Sequence, residues 1–206
     1  MRLNRFRLIA LFPALLITTA SASDFRLGTG LGYGGAGITK VTTVGEDKQS
    51  VKRSEGPGTF SLFVDYVLSD TVGIGLEHNR GYRLGPFSSG VSFTGINTKW
   101  YFRGTAPSVA KVSETGSTLL VKQFSFFIGL GSGVATGSIS RDDDLVPTLS
   151  SSSMYIGFLL GADYPLSAGV VLRPQITSYS SFSSSSTTSP ASLSFFSFGA
   201  GIYWFL

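Results

Sequence analysis

The chain has 206 residues, 42% of them hydrophobic and only 14% charged, where about a quarter is usual for a soluble domain. It has no cysteine and a single histidine, His78, which excludes a disulfide framework, a cysteine-built metal site and a histidine-rich one. The formal charge of +4 gives no ground for nucleic-acid binding: Arg2, Arg5 and Arg7 belong to the N-terminal segment taken next, and without them 13 basic residues face 12 acidic ones.

Residues 1–22 have the three parts of a secretory signal peptide. Arg2, Arg5 and Arg7 give a positive start, Leu8 to Ala20 is apolar, and Ala20-Ser21-Ala22 offers the small residues of a cleavage site. As a helix that apolar stretch reaches about 20 Å, short of a bilayer core of roughly 30 Å, so a cleaved leader is expected rather than an anchor. Residues 23–206 are then one mature domain.

From Phe25 onward the signal has a period of two, which belongs to strands. Phe25, Leu27, Leu31 and Tyr33 share one parity, with Arg26 and Gly28, Gly30, Gly32 and Gly34 on the other. The alternation returns in Leu62, Val64, Tyr66 and Leu68, in Val72, Ile74 and Leu76, and in Phe124, Phe126, Ile128, Leu130 and Val134. It comes again in Ile156, Phe158, Leu160 and Tyr164, in Val170, Leu172 and Ile176, and in Phe196, Phe198, Ile202 and Trp204. A strand near 90–103 is apolar on both parities; Trp100 and Phe102 are placed outward and Lys99 inward. This gives eight strands, the even number of a barrel that begins and ends on one side.

The connectors alternate in length. Short turns fall at Ser69-Asp70-Thr71 and Pro165-Leu166-Ser167-Ala168, and polar loops at 43–57, 82–89, 136–150 and 180–191. Transmembrane barrels have short periplasmic turns and longer external loops, which sets the orientation. The long connector 103–118 falls on the periplasmic side and does not fit that rule.

The second parity decides between a soluble barrel and a membrane one. It is mostly Gly and Ser with single charges, poor as a wetted outer face but suited to the narrow interior of eight strands, where some positions must be small. The other parity is rich in Leu, Ile and Phe and suits hydrocarbon. Strands of about ten residues tilted near 45° cover about 24 Å, the height of the apolar band in such barrels. Rim aromatics at Tyr66, Tyr164, Trp100 and Trp204 fit the interfacial level. The fold class is therefore an all-β, eight-stranded antiparallel up-and-down transmembrane barrel.

The terminal run FSFGAGIYWFL resembles the last strand of outer-membrane barrels, with Gly201, Trp204 and Leu206 in its pattern of a glycine followed by alternating apolar residues. Leu206 stands where Phe is usual, and Gly199 where a polar residue is common. With LGTGLGYGGAG (27–37) and FVDYVLSDTVGIGLE (63–77), the segment 23–206 is similar to the small OmpA/OmpX/OmpW-type barrels, no member being singled out. The resemblance implies a bacterial outer-membrane location, with Gly201, Trp204 and Leu206 as the signal read by the barrel-assembly machinery. Outer-membrane lipid and lipopolysaccharide are the expected contacts and a monomer the expected state, and no periplasmic peptidoglycan-binding domain is expected, since Leu206 ends the chain on the last strand.

The candidate chemistry is sparse. Gly30, Gly32 and Gly35 match a dinucleotide fingerprint in form, but that motif needs a helix behind it to hold phosphate, and the alternation runs on as strand. Arg141-Asp142-Asp143-Asp144 has carboxylates suited to calcium without the spacing of a defined loop, and reads as an exposed loop tip. No cofactor or metal is expected. Asp65, Glu77, Asp163 and Arg173, with Arg26 and Lys99, are expected to point into the lumen and pair there, because unpaired charges in a low-dielectric interior are expensive. His78 and Arg80 share the outward parity of Leu76 and are placed near lipopolysaccharide phosphates. Some small outer-membrane barrels modify lipid A with a His, a Ser and an acid; in the deacylases a Ser follows the His by two places, where this chain has Arg80.

Three functions stand. The first is a non-enzymatic barrel with a packed polar lumen, structural or engaging partners through its external loops. The second is a narrow channel for small hydrophobic molecules, as the OmpW resemblance implies, and the third a lipid A-modifying enzyme. A lumen filled by Phe63, Phe127, Arg173 and Tyr203 favours the first.

Overall fold

The computed structural model describes residues 25–44, 47–55, 58–82, 89–102, 110–113, 116–118, 124–139, 149–167, 170–182 and 191–205. The strands in chain order are β1 (Phe25–Val44), β2 (Asp47–Glu55), β3 (Gly58–Val67), β4 (Val72–Tyr82), β5 (Ser89–Tyr101), β6 (Ala110–Ser113), β7 (Gly116–Thr118), β8 (Ser125–Ile139), β9 (Leu149–Ser167), β10 (Val170–Phe182) and β11 (Ala191–Phe205). Antiparallel pairing runs β11-β10-β9-β8-β5-β4-β3-β1, and β11 pairs with β1 to close the ring. Eight strands thus make the barrel. β2 extends the line of β3 and pairs with the far half of β1, from Ala36↔Glu55 to Val44↔Asp47. No helix among the described residues is long and apolar enough to cross a membrane.

The register fixes the barrel's shape. Followed across the strands, it passes Leu27, Val64, Leu76, Ile96, Ser132, Ile156, Ser180 and Ser194 and returns to β1 at Gly37, ten residues beyond its start. With 3.3 Å per residue and 4.8 Å between strands, that stagger tilts the strands by about 40°. The interior of such a barrel is wide enough for side chains to fill and no wider.

The strands of the eight-stranded ring turn one parity outward, and over the lower part of the wall that parity is apolar. Leu31, Leu76, Ile96, Phe126, Ile156 and Phe198 are all more than half exposed. Trp100 and Phe102 face out and Lys99 faces in, which fixes the phase of the strand that is apolar on both sides. Inward glycines make room for large side chains of the neighbouring strands. At Gly28 a Cβ would lie 2.7 Å from Tyr203 Cβ and collide with the Phe63 ring, so this position takes no larger residue without moving the lumen.

The strands run farther than apolar periodicity predicts. Residues 43–57, expected as a loop, lie largely in β1 and β2; β8 continues to Ile139, β9 starts at Leu149, and β10 continues to Phe182. Above the apolar band the outward residues turn polar, as at Arg80, Ser92 and Thr136, so the alternation that marks the lower strands is lost, while Thr and Val, as at 39–44, still favour extended backbone. Pro165, Leu166 and Ser167 likewise belong to β9, with Val171 opposite Pro165 and a bulge at Val170/Val171. Part of the 103–118 connector forms a separate ribbon of β6 and β7. At Ser69-Asp70-Thr71 the turn stands as expected: Ser69 Oγ accepts from the Val72 amide at 3.1 Å and the Thr71 amide at 3.3 Å.

Candidate functional site: the filled lumen and the outer wall

The lumen is built from the inward parity and is filled in two layers. Near the short-turn end six ionisable side chains are buried: Arg26, Lys99 and Arg173 with Asp65, Glu77 and Asp163. Arg173 is the hub. Its Nε donates to Asp163 Oδ1 at 2.7 Å, its Nη2 to Asp163 Oδ2 at 3.1 Å, and its Nη1 to Asp65 Oδ2. Lys99 Nζ donates to Asp65 Oδ1 at 2.6 Å and to Asn97 Oδ1 at 2.8 Å. Arg26 lies farther off, 3.8 Å from Asp163, and donates to the Tyr101 hydroxyl at 3.1 Å, which in turn donates to Asp163 Oδ2 at 3.1 Å.

Glu77 joins this network through neutral groups. Asn97 Nδ2 donates to it at 2.9 Å, the Tyr179 hydroxyl at 3.2 Å and Gln175 Nε2 at 3.3 Å. Asn97 therefore links Lys99 to Glu77, accepting with its oxygen and donating with its nitrogen. Aromatic faces enclose the cations: the Arg173 guanidinium is 4.6 Å from the centre of Tyr203, 4.9 Å from Phe63 and 5.2 Å from Phe127. Such cation–π contacts strengthen when water is excluded.

Toward the long-loop end the lumen changes character. Phe93 sits at the centre of a ring cluster, with centroids 5.2 Å from Tyr155, 5.5 Å from Phe195 and 5.7 Å from Tyr179. Val91, Leu193 and Ile38 are fully buried beyond it. The expectation of a polar lumen is therefore corrected: the filling is ionic at one end and apolar at the other. Parity reading missed this layer because β5 is apolar on both faces there, so Phe93 could not be told from a lipid-facing residue. Asn97 and Tyr101 were missed for the same reason, although once Lys99 is placed inward their parity follows. Between the layers lies a chamber of about 10 Å³, lined by Thr59, Ser61, Asn79, Gln175 and Ser197, the room one water needs.

The outer wall carries the other candidates. His78 faces outward, partly covered, and its Nδ1 is 2.7 Å from Thr94 Oγ1. Glu77, its neighbour in sequence, points to the lumen, and so does Asp65. Arg80 is exposed two residues beyond His78, and its guanidinium lies across Gly90 of β5, where a Cβ would come 3.0 Å from Nη2. Level with Arg80 in the register, Ser92 and Thr136 join by their hydroxyls at 3.0 Å. On β11, Gly201 is buried opposite Gly30 and Arg173, and Trp204 faces outward. Gly30, Gly32 and Gly35 lie within β1 with no helix after them. Residues 1–22, the Arg141–Asp144 run and Leu206 fall outside the described residues.

No protein-family model matches the sequence, and no curated protein does. Among solved structures the chain is similar to a neisserial surface protein, NspA, at 14% identity and a TM-score of 0.52, over 89% of this chain and 98% of that one. It is also similar to the outer membrane protein OprG of Pseudomonas aeruginosa, at 14% identity and 0.49, over 89% and 97%. A third likeness is to the Escherichia coli outer membrane protease OmpT, at 9% identity and 0.47, over 91% and 99%. At these identities the likeness to NspA is one of fold.

Proposed function

We propose, from the premise that this chain has the fold of the small eight-stranded outer-membrane β-barrels, that it is a closed, non-enzymatic barrel of a bacterial outer membrane. Its work is then structural, or done through the segments that join its strands at the long-loop end. The outward apolar parity supports the location, and an N-terminal leader of residues 1–22 supplies the export route. Assembly through Gly201, Trp204 and Leu206 belongs to the same proposal.

The observation that carries the closed state is the double filling of the lumen. A charged solute meets the Arg173 network at one end, and any solute meets the Phe93 cluster at the other. Between the ion pairs and the ring cluster the chamber has room for about one water. A non-enzymatic role rests on the outer wall, where His78 bonds Thr94 while the adjacent carboxylate, Glu77, faces inward.

The test is planar-bilayer conductance of the refolded protein, run beside a lipid A modification assay. No steady conductance above the bare bilayer and unchanged lipid A are expected. Stable unitary steps would support the channel instead, and loss or transfer of an acyl chain would support the enzyme.

A further inference from the structure

The chamber between the ionic and ring layers exists because of the closing seam. Where β1 meets β11, two successive inward pairs are glycine on both strands, Gly30↔Gly201 and Gly32↔Gly199, and neither puts a side chain into the bore. A Cβ on Gly32 would collide with Thr59 Oγ1 and Ser197 Oγ, so the space that the glycines leave is faced by hydroxyls from beside them. The register sets Ser61 of β3 next to Gly30, Asn79 of β4 next to Ser61, and Gln175 of β10 next to Gly199. Strands β1, β3, β4, β10 and β11 thus meet at one polar hollow of about 10 Å³.

The hydrogen bonding around this hollow is incomplete. Asn79 is 2% exposed, and its Nδ2 has no hydrogen-bond partner among the described protein groups. A buried amide donor left in that state is costly, and folded proteins rarely keep one. Gln175 commits Nε2 to Glu77 at 3.3 Å, which leaves Oε1 as the acceptor it can offer to the hollow. Thr59 and Ser197 share one hydrogen bond at 2.6 Å, and both hydroxyls keep a lone pair to accept another. An occupant must therefore accept from Asn79, donate to these oxygens and carry no charge. Among the described residues lining the hollow there is no carboxylate, lysine or arginine. The layer beside it already sets three cations against three carboxylates, so an ion here would have no counter-charge in contact. Water meets every condition and has the right size.

We propose that the hollow is a binding site for one resident water, which accepts from Asn79 Nδ2 and donates to Gln175 Oε1 and to a seam hydroxyl. The water joins the two layers of the lumen. Through Gln175 it connects to Glu77 and the ionic layer, and through Asn79 to the strand position opposite Phe93 of the ring cluster. It also gives the glycine stretch of the seam, which has no inward side chains, a polar contact across the bore. The site follows from the fold and is independent of what the barrel does in a membrane.

The experiment is water–protein NMR on the refolded full chain with its Asn and Gln side-chain amides labelled. In the wild type the Asn79 and Gln175 amides should both show cross-peaks to water whose signs differ between NOE and ROE spectra, the mark of a held water. Ser61→Val adds a methyl group to the hollow and keeps the Thr59 and Ser197 hydroxyls; it should remove both cross-peaks. Asn79→Leu, of similar volume, should weaken the Gln175 cross-peak by about fivefold, the weight of one ordinary hydrogen bond. Heat-modifiable electrophoretic mobility shows that each variant is folded, and the wild type with either folded variant suffices to decide. Wild-type amides without such cross-peaks would overturn the site. Cross-peaks that survive in Ser61→Val would come from the hydroxyl protons instead and would overturn it as well. A Gln175 cross-peak unchanged in Asn79→Leu would overturn the place of Asn79 as the anchoring donor.

Discussion

Arg173 makes the strongest residue-scale demand on this fold. It is buried on β10 and holds two carboxylates on two other strands, Asp163 on β9 and Asp65 on β3. Removing one member of a buried, hydrogen-bonded ion network strands the others, at a typical cost of about 3–5 kcal/mol. Arg173→Met is therefore expected to lower stability by about that much, read as a shift of the urea midpoint of the refolded barrel. Adding Asp163→Asn should recover part of the loss, because the remaining Asp65 still has Lys99. A loss below about 1 kcal/mol in the single variant would show that the network carries no such weight.

The inward direction of the charges follows from parity alone: Arg26, Asp65, Glu77, Asp163 and Arg173 all alternate with apolar residues that need lipid. Their partners do not follow. Which carboxylate meets Arg173 depends on the ten-residue stagger of the closed ring, a property of eight strands together. The Asn97 link between Lys99 and Glu77 is hidden for another reason: β5 is apolar on both faces, so the sequence does not show that Asn97 points inward.

At the scale of elements, the strand interiors were legible and their far ends were not. β4 and β8 contrast Leu, Ile or Phe with Gly and Ser, and that contrast marks both strand and face. Beyond the apolar band the contrast disappears, and residues 39–44 of β1 carry only the β-branched preference for extended backbone. Their hydrogen bonding shows what the pattern could not: β1 pairs with β11 as far as Lys40↔Ala191 and with β2 as far as Val44↔Asp47. The amides of residues 36–40 are accordingly expected to exchange with deuterium as slowly as those of residues 27–31 lower on β1. Exchange at the rate of an open loop would mean that this hairpin is not formed in solution.

β10 holds a further element-scale point. Pro174 has no amide hydrogen, and Pro in a central strand is unusual. The β9–β10 register passes from Leu172↔Tyr164 to Gln175↔Gly161 without a ladder pair at Arg173 or Pro174. Arg173 and Asp163 stand opposite each other across that gap and close it through their side chains. The ion pair thus does locally what the backbone cannot.

For the whole molecule, closure into a ring removes every exposed strand edge from the eight-stranded wall. The stagger and strand number set a narrow bore, and large inward side chains then stop it. In the closed barrel proposed above, conductance would require both the ionic and the ring layer to move, so that proposal does not depend on one contact. The outer surface makes the opposite demand, since so many large apolar side chains on one face suit hydrocarbon better than water.

That claim of a lipid-facing wall is open to one direct measurement. The chain has two tryptophans, Trp100 on β5 and Trp204 on β11, and both face outward. In vesicles whose lipid chains carry bromine, their emission should be blue-shifted and strongly quenched, and Trp100→Phe and Trp204→Phe should each leave a quenched signal from the other. Red-shifted emission that the brominated chains do not quench would place both residues in water and contradict the membrane-spanning barrel.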